Sequence, residues 1–244
     1  MHLEFVWLAF CVLLSYVSLA LSGFGGNIVT ITLAAHLFPI KTLLPVVVPL
    51  TLTGNIYITA RYHRDISRSV LFKNIIPIMG TGFVIGVLVF GYLYGDTMKK
   101  IFGSIVVLIS LREIVKLIKD KKDAGPITRL RSFLYMFSAG IIQGIYASGG
   151  PLLVYAVSKL NLSKSVFRST LSAVWLIFHA TLTIYYGFTG KLTPDSLRSI
   201  IVLLPVLVAG TVIGEKLHNR INERHFQIVV FAILLFSGSA IVIR

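Results

Sequence analysis

The chain has 244 residues, of which 56% are hydrophobic and 13% charged, with a formal net charge of +14. A soluble domain carries about 25% charged residues, so the composition argues against a water-soluble globule. A single cysteine, Cys11, excludes an intrachain disulfide and a cysteine metal cluster.

Apolar residues come in long blocks at 5–21, 43–59, 75–93, 101–111, 133–157, 169–186, 200–213 and 226–243. Several reach the ~20 residues that a bilayer-spanning helix needs. The fold class expected is therefore all-α, a multi-pass protein of the cytoplasmic membrane. The first block has no basic leader and is longer than a usual signal-peptide core, so it reads as a span rather than a cleaved signal. The basic residues punctuate block ends, as the positive-inside rule produces. Anionic headgroups account for this charge, and nucleic acid is not needed. No residue pattern calls for a cofactor or a metal. The lipid bilayer is the first partner, and a homo-oligomer is compatible with the sequence.

At 22–30 the first apolar run is interrupted by SGFGGNIVT. Glycine costs about 1 kcal/mol relative to alanine inside a helix, so three in four positions mark a break. The interruption returns. Gly25 and Gly26 match Gly149 and Gly150 at an offset of 124, where the chain reads ASGGP. At the same offset Asn55 meets His179, Thr59 meets Thr183 and Tyr62 meets Tyr186. Farther on, Pro77, Gly82 and Gly86 match Pro205, Gly210 and Gly214 at an offset of 128. The chain therefore divides into a first repeat at 1–118, a basic cytoplasmic linker at 119–131 (KDKKDAGPITRLR) and a second repeat at 132–244. About four spanning helices are expected in each repeat, with glycine-broken or re-entrant segments meeting near the midplane.

Paired interruptions in two repeats are the sequence sign of a secondary transporter whose substrate site lies where the repeats meet. Irregular backbone at membrane depth survives only when it is buried in protein or lines a wet cavity. A helix restarting after such a break presents free N–H groups and a positive dipole end, which suits an anion. The candidate substrate-binding residues are Ser22, Gly23, Gly25, Gly26 and Asn27 at the first break, and Ser148, Gly149 and Gly150 at the second. Asn55, Gln143, Trp175 and His179 lie at depth on neighbouring segments. Thr51, Thr53, Thr170, Ser172, Thr181 and Thr183 add hydroxyls. By contrast, Gly82/Gly86 and Gly210/Gly214 have the GxxxG spacing of close helix contact.

The nine acidic residues all lie at or near segment ends. This weakens a cation transporter, which uses carboxylates inside the membrane. There is no HExxH motif and no acid to complete a Ser148–His179 triad, so the chain is not read as an enzyme. His179 is the one titratable group at depth and the only visible proton-coupling candidate. An anion leaving a negative interior gains about 2.3 kcal/mol per charge per 100 mV, so export needs no other energy source. Proton-coupled uptake of a small organic acid or sulfonate is the alternative, and an anion channel is a third reading.

The Gly-Phe-Gly-Gly break, the Ser-Gly-Gly-Pro break, the basic central linker and the paired late glycines together resemble the sulfite exporter TauE/SafE family of anion permeases. The resemblance covers nearly the whole chain. It implies a small anionic substrate, sulfite or an organosulfur anion such as sulfoacetate. Asn27 stands where a further glycine is common in that family.

With inverted repeats, Lys41, Lys99, Lys100, Lys191, Arg198 and Arg244 lie outside and the rest of the 23 basic residues inside. Parallel repeats obey the positive-inside rule less well. In a Cys11→Ala background, a cysteine in the 119–131 loop should resist impermeant thiol reagents in intact cells, whereas cysteines near Lys41 and Lys191 should be labelled. Labelling of the linker from outside would reverse this orientation.

Overall fold

The computed structural model describes residues 2–22, 26–119, 127–160, 162–218 and 223–243. Among them there is no β-strand. The helices are α1 (His2–Ser22), α2 (Gly26–Ala34), α3 (Ile40–Arg61), α4 (Ile76–Tyr92), α5 (Gly95–Ile118), α6 (Arg129–Tyr146), α7 (Gly150–Ser158), α8 (Lys164–Phe188), α9 (Pro194–His218) and α10 (Glu223–Ile243). A 3₁₀ turn at His63–Asp65 and a π-helical turn at Val70–Ile75 lead into α4.

Helix starts repeat with the sequence. Gly26 and Gly150 open α2 and α7, and Ile40 and Lys164 open α3 and α8, at an offset of 124. Gly95 and Glu223 open α5 and α10 at an offset of 128. Local signals set several boundaries. Ser163 accepts the Val166 N–H (3.4 Å) as the N-cap of α8, Thr128 caps α6 through the Arg131 N–H, and Pro194 occupies the first position of α9, where no N–H is needed.

Among the described residues six stretches are long and apolar enough to cross a membrane: Leu3–Ala20, Ile40–Arg61, Val70–Tyr92, Ser165–Phe188, Pro194–Leu217 and Arg224–Ile243. The expectation was about four per repeat. The two helices that fall short are α5 and α6, which flank the linker. Lys99, Lys100, Arg112, Glu113 and Lys116 dilute α5, and Arg129 and Arg131 open α6. Their repeat counterparts, α10 and α1, do qualify.

The chain folds into two compact units, each drawing on both sequence repeats. Unit 1 comprises Met1–Val47, Leu93–Ala124 and Pro194–Arg244, and unit 2 comprises Val48–Tyr92 and Gly125–Thr193. The boundary in α3 falls between Pro45 and Pro49, each of which lacks the N–H that a helix uses.

In unit 2, α4 and α6 are in backbone contact. A Cβ added at Gly82 would collide with the Phe137 carbonyl, and one at Gly86 with that of Ile141. From the other side, a Cβ on Gly140 would meet the Met79 carbonyl and one on Gly144 the Phe83 carbonyl. Unit 1 repeats the arrangement with α9 on α1. A Cβ on Gly210 would lie 2.9 Å from the Leu13 carbonyl oxygen, and one on Gly214 would lie 2.8 Å from that of Val17. Leu13 and Val17 are the counterparts of Phe137 and Ile141 at the 124 offset. The expected packing role of both GxxxG pairs is thus realised through matching contacts. Unit 1 also packs α5 on α10 through Gly103 and Gly238. In unit 2 the α3–α4 connection is tied to the start of α8: Ser165 donates to Asp65, and the Ser67 N–H donates to Thr170 Oγ1 (3.0 Å).

Gly140→Ala should destabilise the purified protein by about 2 kcal/mol, because a backbone carbonyl cannot step aside as a flexible side chain can. Gly80 has nothing within 4 Å of an added Cβ, so Gly80→Ala should be neutral or mildly stabilising. Thermal unfolding in detergent compares the two. Equal melting behaviour would refute backbone contact as the basis of α4–α6 packing.

Candidate anion site

The second glycine break lies within unit 2 and can be built atom by atom. Helix α6 ends at Tyr146, and Ala147 follows with φ 50° and ψ 30°. It is the one non-glycine residue with positive φ among the described residues. A left-handed L-residue is disfavoured by about 1–2 kcal/mol, so surrounding contacts must hold it. Its N–H donates to the Gln143 carbonyl (2.9 Å). Its backbone also hydrogen-bonds the His179 side chain.

The freed polar groups are then taken up locally. Ser148 Oγ donates to the Tyr146 carbonyl (2.9 Å), and the Gly149 N–H donates to Gln143 Oε1 (3.0 Å). The first helical bond of α7 runs from Leu153 N–H to the Gly149 carbonyl (3.3 Å). The N–H groups of Gly150 and Leu152 precede it, and Pro151 has none.

The two glycines differ in kind. A Cβ on Gly149 would strike the Ala139 carbonyl, so this position requires close approach. At Gly150 the one heavy atom within 4 Å of an added Cβ is Trp175 Cζ2, at 3.8 Å. The face of α7's first turn toward Trp175 therefore has room.

Gln143, whose Oε1 holds the neighbouring Gly149 N–H, is 1% exposed. Its Oε1 is engaged, while its Nε2 has no hydrogen-bond partner among the described residues. A buried unpaired amide donor costs about 1–3 kcal/mol. His179 and Asn55 lie in the same unit, 3% and 5% exposed. Asn55 Nδ2 donates to His179 Nδ1 (3.1 Å), which leaves Nε2 for Ala147. Trp175 stacks over His179 with ring centroids 6.3 Å apart. The two residues that occupy one place in the repeats thus touch each other directly.

Unit 2 therefore brings together Asn55, Gln143, Ser148, Gly149, Gly150, Trp175 and His179, all anticipated from the sequence. Gly26 and Asn27 belong to unit 1. There Ser15 Oγ donates to the Gly26 carbonyl, as does Thr30 Oγ1 (3.2 Å). Leu19 occupies the position that Gln143 holds in the second repeat. Ser22 is the last residue of α1, and Gly23 and Gly25 lie outside the described residues.

Most hydroxyls expected at depth turn inward on their own helices. Thr53, Thr181, Thr183 and Ser172 donate to carbonyls three or four residues earlier, and Thr170 accepts from Ser67. Ala147 went unnoticed in the sequence, since an alanine gives no sign of a left-handed turn.

The site residues carry uncharged donors, and α7 presents its positive end to the opening, an arrangement that accommodates an oxyanion. No solved structure gives a significant match to the chain. A probable sulfite/organosulfonate exporter TauE from Cupriavidus necator is 20% identical over 224 residues, covering 91% of this chain and 86% of that protein. The sequence profile described as sulfite exporter TauE/SafE matches residues 8–241. With its apolar spans, glycine-built helix contacts and broken α6–α7 segment, the chain belongs to the sulfite exporter TauE/SafE family of membrane transporters.

Proposed function

We propose that this transporter exports a small sulfur oxyanion, sulfite or an organosulfonate such as sulfoacetate, across the cytoplasmic membrane, and that the anion binds at the α6–α7 break. The observation that carries the reading is the Gln143 Nε2 donor, buried and unpartnered on a side chain whose Oε1 holds the Gly149 N–H, one residue before the open position of Gly150 at the start of α7. An oxyanion there would accept from Gln143 Nε2 and from the Gly150 and Leu152 N–H groups. Charge-assisted hydrogen bonds are about twice as strong as neutral ones. Donors without a full charge let the anion leave again. Asn55 and His179 act through Ala147 by holding the left-handed turn that aims α7. Gly26 and Asn27, with Ser22, Gly23 and Gly25, are the sequence counterparts of this site in the first repeat. A relative named as a sulfite/organosulfonate exporter supports the substrate class.

The repeats are taken as inverted. The distribution of basic residues favours this, and a residue hydrogen-bonded to its own repeat counterpart is the contact a two-fold relation would place on its axis.

The site's chemistry supports export. Uptake against the potential would need protons or cations to offset the charge. The proton-coupling candidate, His179, already accepts at Nδ1 from an amide donor. A proton on that nitrogen would face Nδ2, so carrying one means breaking the bond.

Counterflow in proteoliposomes tests the site. Gln143→Glu keeps the acceptor that holds the Gly149 N–H but removes the amide donor and adds negative charge, so apparent sulfite affinity should fall by about tenfold or more. Gly150→Leu should stay folded, since its Cβ has space, yet block flux by filling the opening. Wild-type flux in both folded variants would refute the site.

Direction has its own test. An imposed inside-negative potassium diffusion potential should accelerate sulfite efflux, while a pH gradient at constant substrate protonation should leave it unchanged. Dependence on the proton gradient that disappears in His179→Gln would favour proton-coupled uptake instead.

A further inference from the structure

Unit 1 contains a cavity of about 340 Å³, unrelated to the helix break in unit 2, lined by Ala35, His36, Asp96, Lys99, Lys100 and Ile241. It forms where the α2–α3 connection meets the first turn of α5. His36 is fixed in its wall: its Nε2 donates to Ser237 Oγ (2.8 Å), and the Ser237 hydroxyl donates to the Thr32 carbonyl (3.3 Å). Lys99 and Lys100 form no ion pair among the described residues. Asp96 is the one acid in the lining. Two ammonium groups and one carboxylate leave the cavity net cationic with His36 neutral.

The surroundings add positive charge. Lys41, at the start of α3, lies 3.5 Å from the centroid of the Tyr94 ring, immediately before α5. Helix α5 has 24 residues, about 36 Å at 1.5 Å per residue. The cavity therefore sits at the end of α5 away from the basic 119–131 linker. Lys41, Lys99 and Lys100 are three of the six basic residues that the inverted topology puts outside. Insertion disfavours basic residues on that side, so Lys99 and Lys100, lining a cavity without an ion pair among the described residues, call for a ligand.

We propose that this cavity is a second anion site, specific for a tetrahedral or pyramidal oxyanion group of the sulfate, sulfite, sulfonate or phosphate class, held by Lys99 and Lys100 and weakened by Asp96. Its volume admits such a group with part of its hydration. Partial exposure of the lysines makes it a weak, salt-sensitive site. Two sources share this chemistry, a free anion and the phosphate of an anionic lipid headgroup. The site does not depend on binding at Gly150.

The test uses full-length protein in nanodiscs, with Gln143→Glu as the background so that the break contributes nothing. Inorganic sulfate is titrated by calorimetry in phosphatidylcholine discs at low and high ionic strength. Lys99→Gln/Lys100→Gln should weaken sulfate binding by about tenfold, since each charge–charge contact at a partly exposed site contributes modestly. Asp96→Asn should tighten it several-fold. If phosphatidylglycerol discs abolish sulfate binding and raise the melting temperature of Lys99/Lys100 protein but not of the double variant, the headgroup phosphate is the occupant. Should the double variant and Asp96→Asn both match the background protein in sulfate binding and in their response to phosphatidylglycerol, the site is refuted. Because the two variants push in opposite directions, a folding defect in one leaves the other decisive.

Discussion

Inside a bilayer, backbone N–H and C=O groups released by a broken helix must find partners within the protein, at several kcal/mol for each that does not. The α6–α7 break meets this constraint largely through Gln143. Its carbonyl accepts from Ala147, and its side-chain oxygen accepts from Gly149. Ser148 returns a hydroxyl to the last carbonyl of α6. Once these are engaged, one amide donor and the leading N–H groups of α7 remain. Tying the break together and offering donors are therefore two consequences of one side chain. At the start of α2 the Ser15 and Thr30 hydroxyls instead donate to the Gly26 carbonyl, and an aliphatic Leu19 stands at the position of Gln143.

The glycines serve two physical ends. At Gly82, Gly86, Gly140, Gly144 and Gly149 an added methyl group would meet a carbonyl oxygen, so glycine is there because backbone passes backbone. Helices in lipid gain little from burying apolar surface, and close packing supplies much of the attraction. At Gly150 the space is open, and packing does not explain the residue. The sharpest distinction along the break thus falls between two adjacent glycines that the sequence presents as a pair.

Much of this architecture was legible in the sequence because it is periodic. The 124 and 128 offsets place the starts of α2 and α7, α3 and α8, and α5 and α10 in register, and α2 and α7 open at clustered glycines. The pairing of helices was not legible. Helix α4 of the first repeat packs on α6 of the second, and α9 of the second on α1 of the first, so each compact unit is assembled from both halves. Hydropathy carries no information on which apolar face meets which. The hydroxyls were misleading for a different reason: Thr53, Thr181 and Thr183 satisfy themselves on the preceding turn of their own helices, while the longer amide of Gln143 keeps a donor to spare. Ala147 escaped notice because its left-handed turn is imposed by tertiary contacts rather than by its side chain.

The division of charge gives the proposed export cycle its logic. A lysine buried at the break would hold a sulfur dianion tightly and would have to be desolvated in its absence. Amide and backbone donors avoid both penalties, because their strength toward an anion rises with the charge they meet and they remain neutral when empty. Among the described residues full positive charges lie at partly solvated positions such as Lys99 and Lys100, where attraction is screened and release is fast. In the proposed site, binding at depth depends on donor geometry, which the left-handed turn at Ala147 would set and the Asn55–His179 pair maintain. In the proposed cycle, direction comes from the membrane potential acting on the anion, with no titrating group required. A substitution that loosens the turn should accordingly alter affinity, while one that changes charge at the cavity of unit 1 should alter salt dependence. The two effects are separable because their groups sit in different electrostatic surroundings.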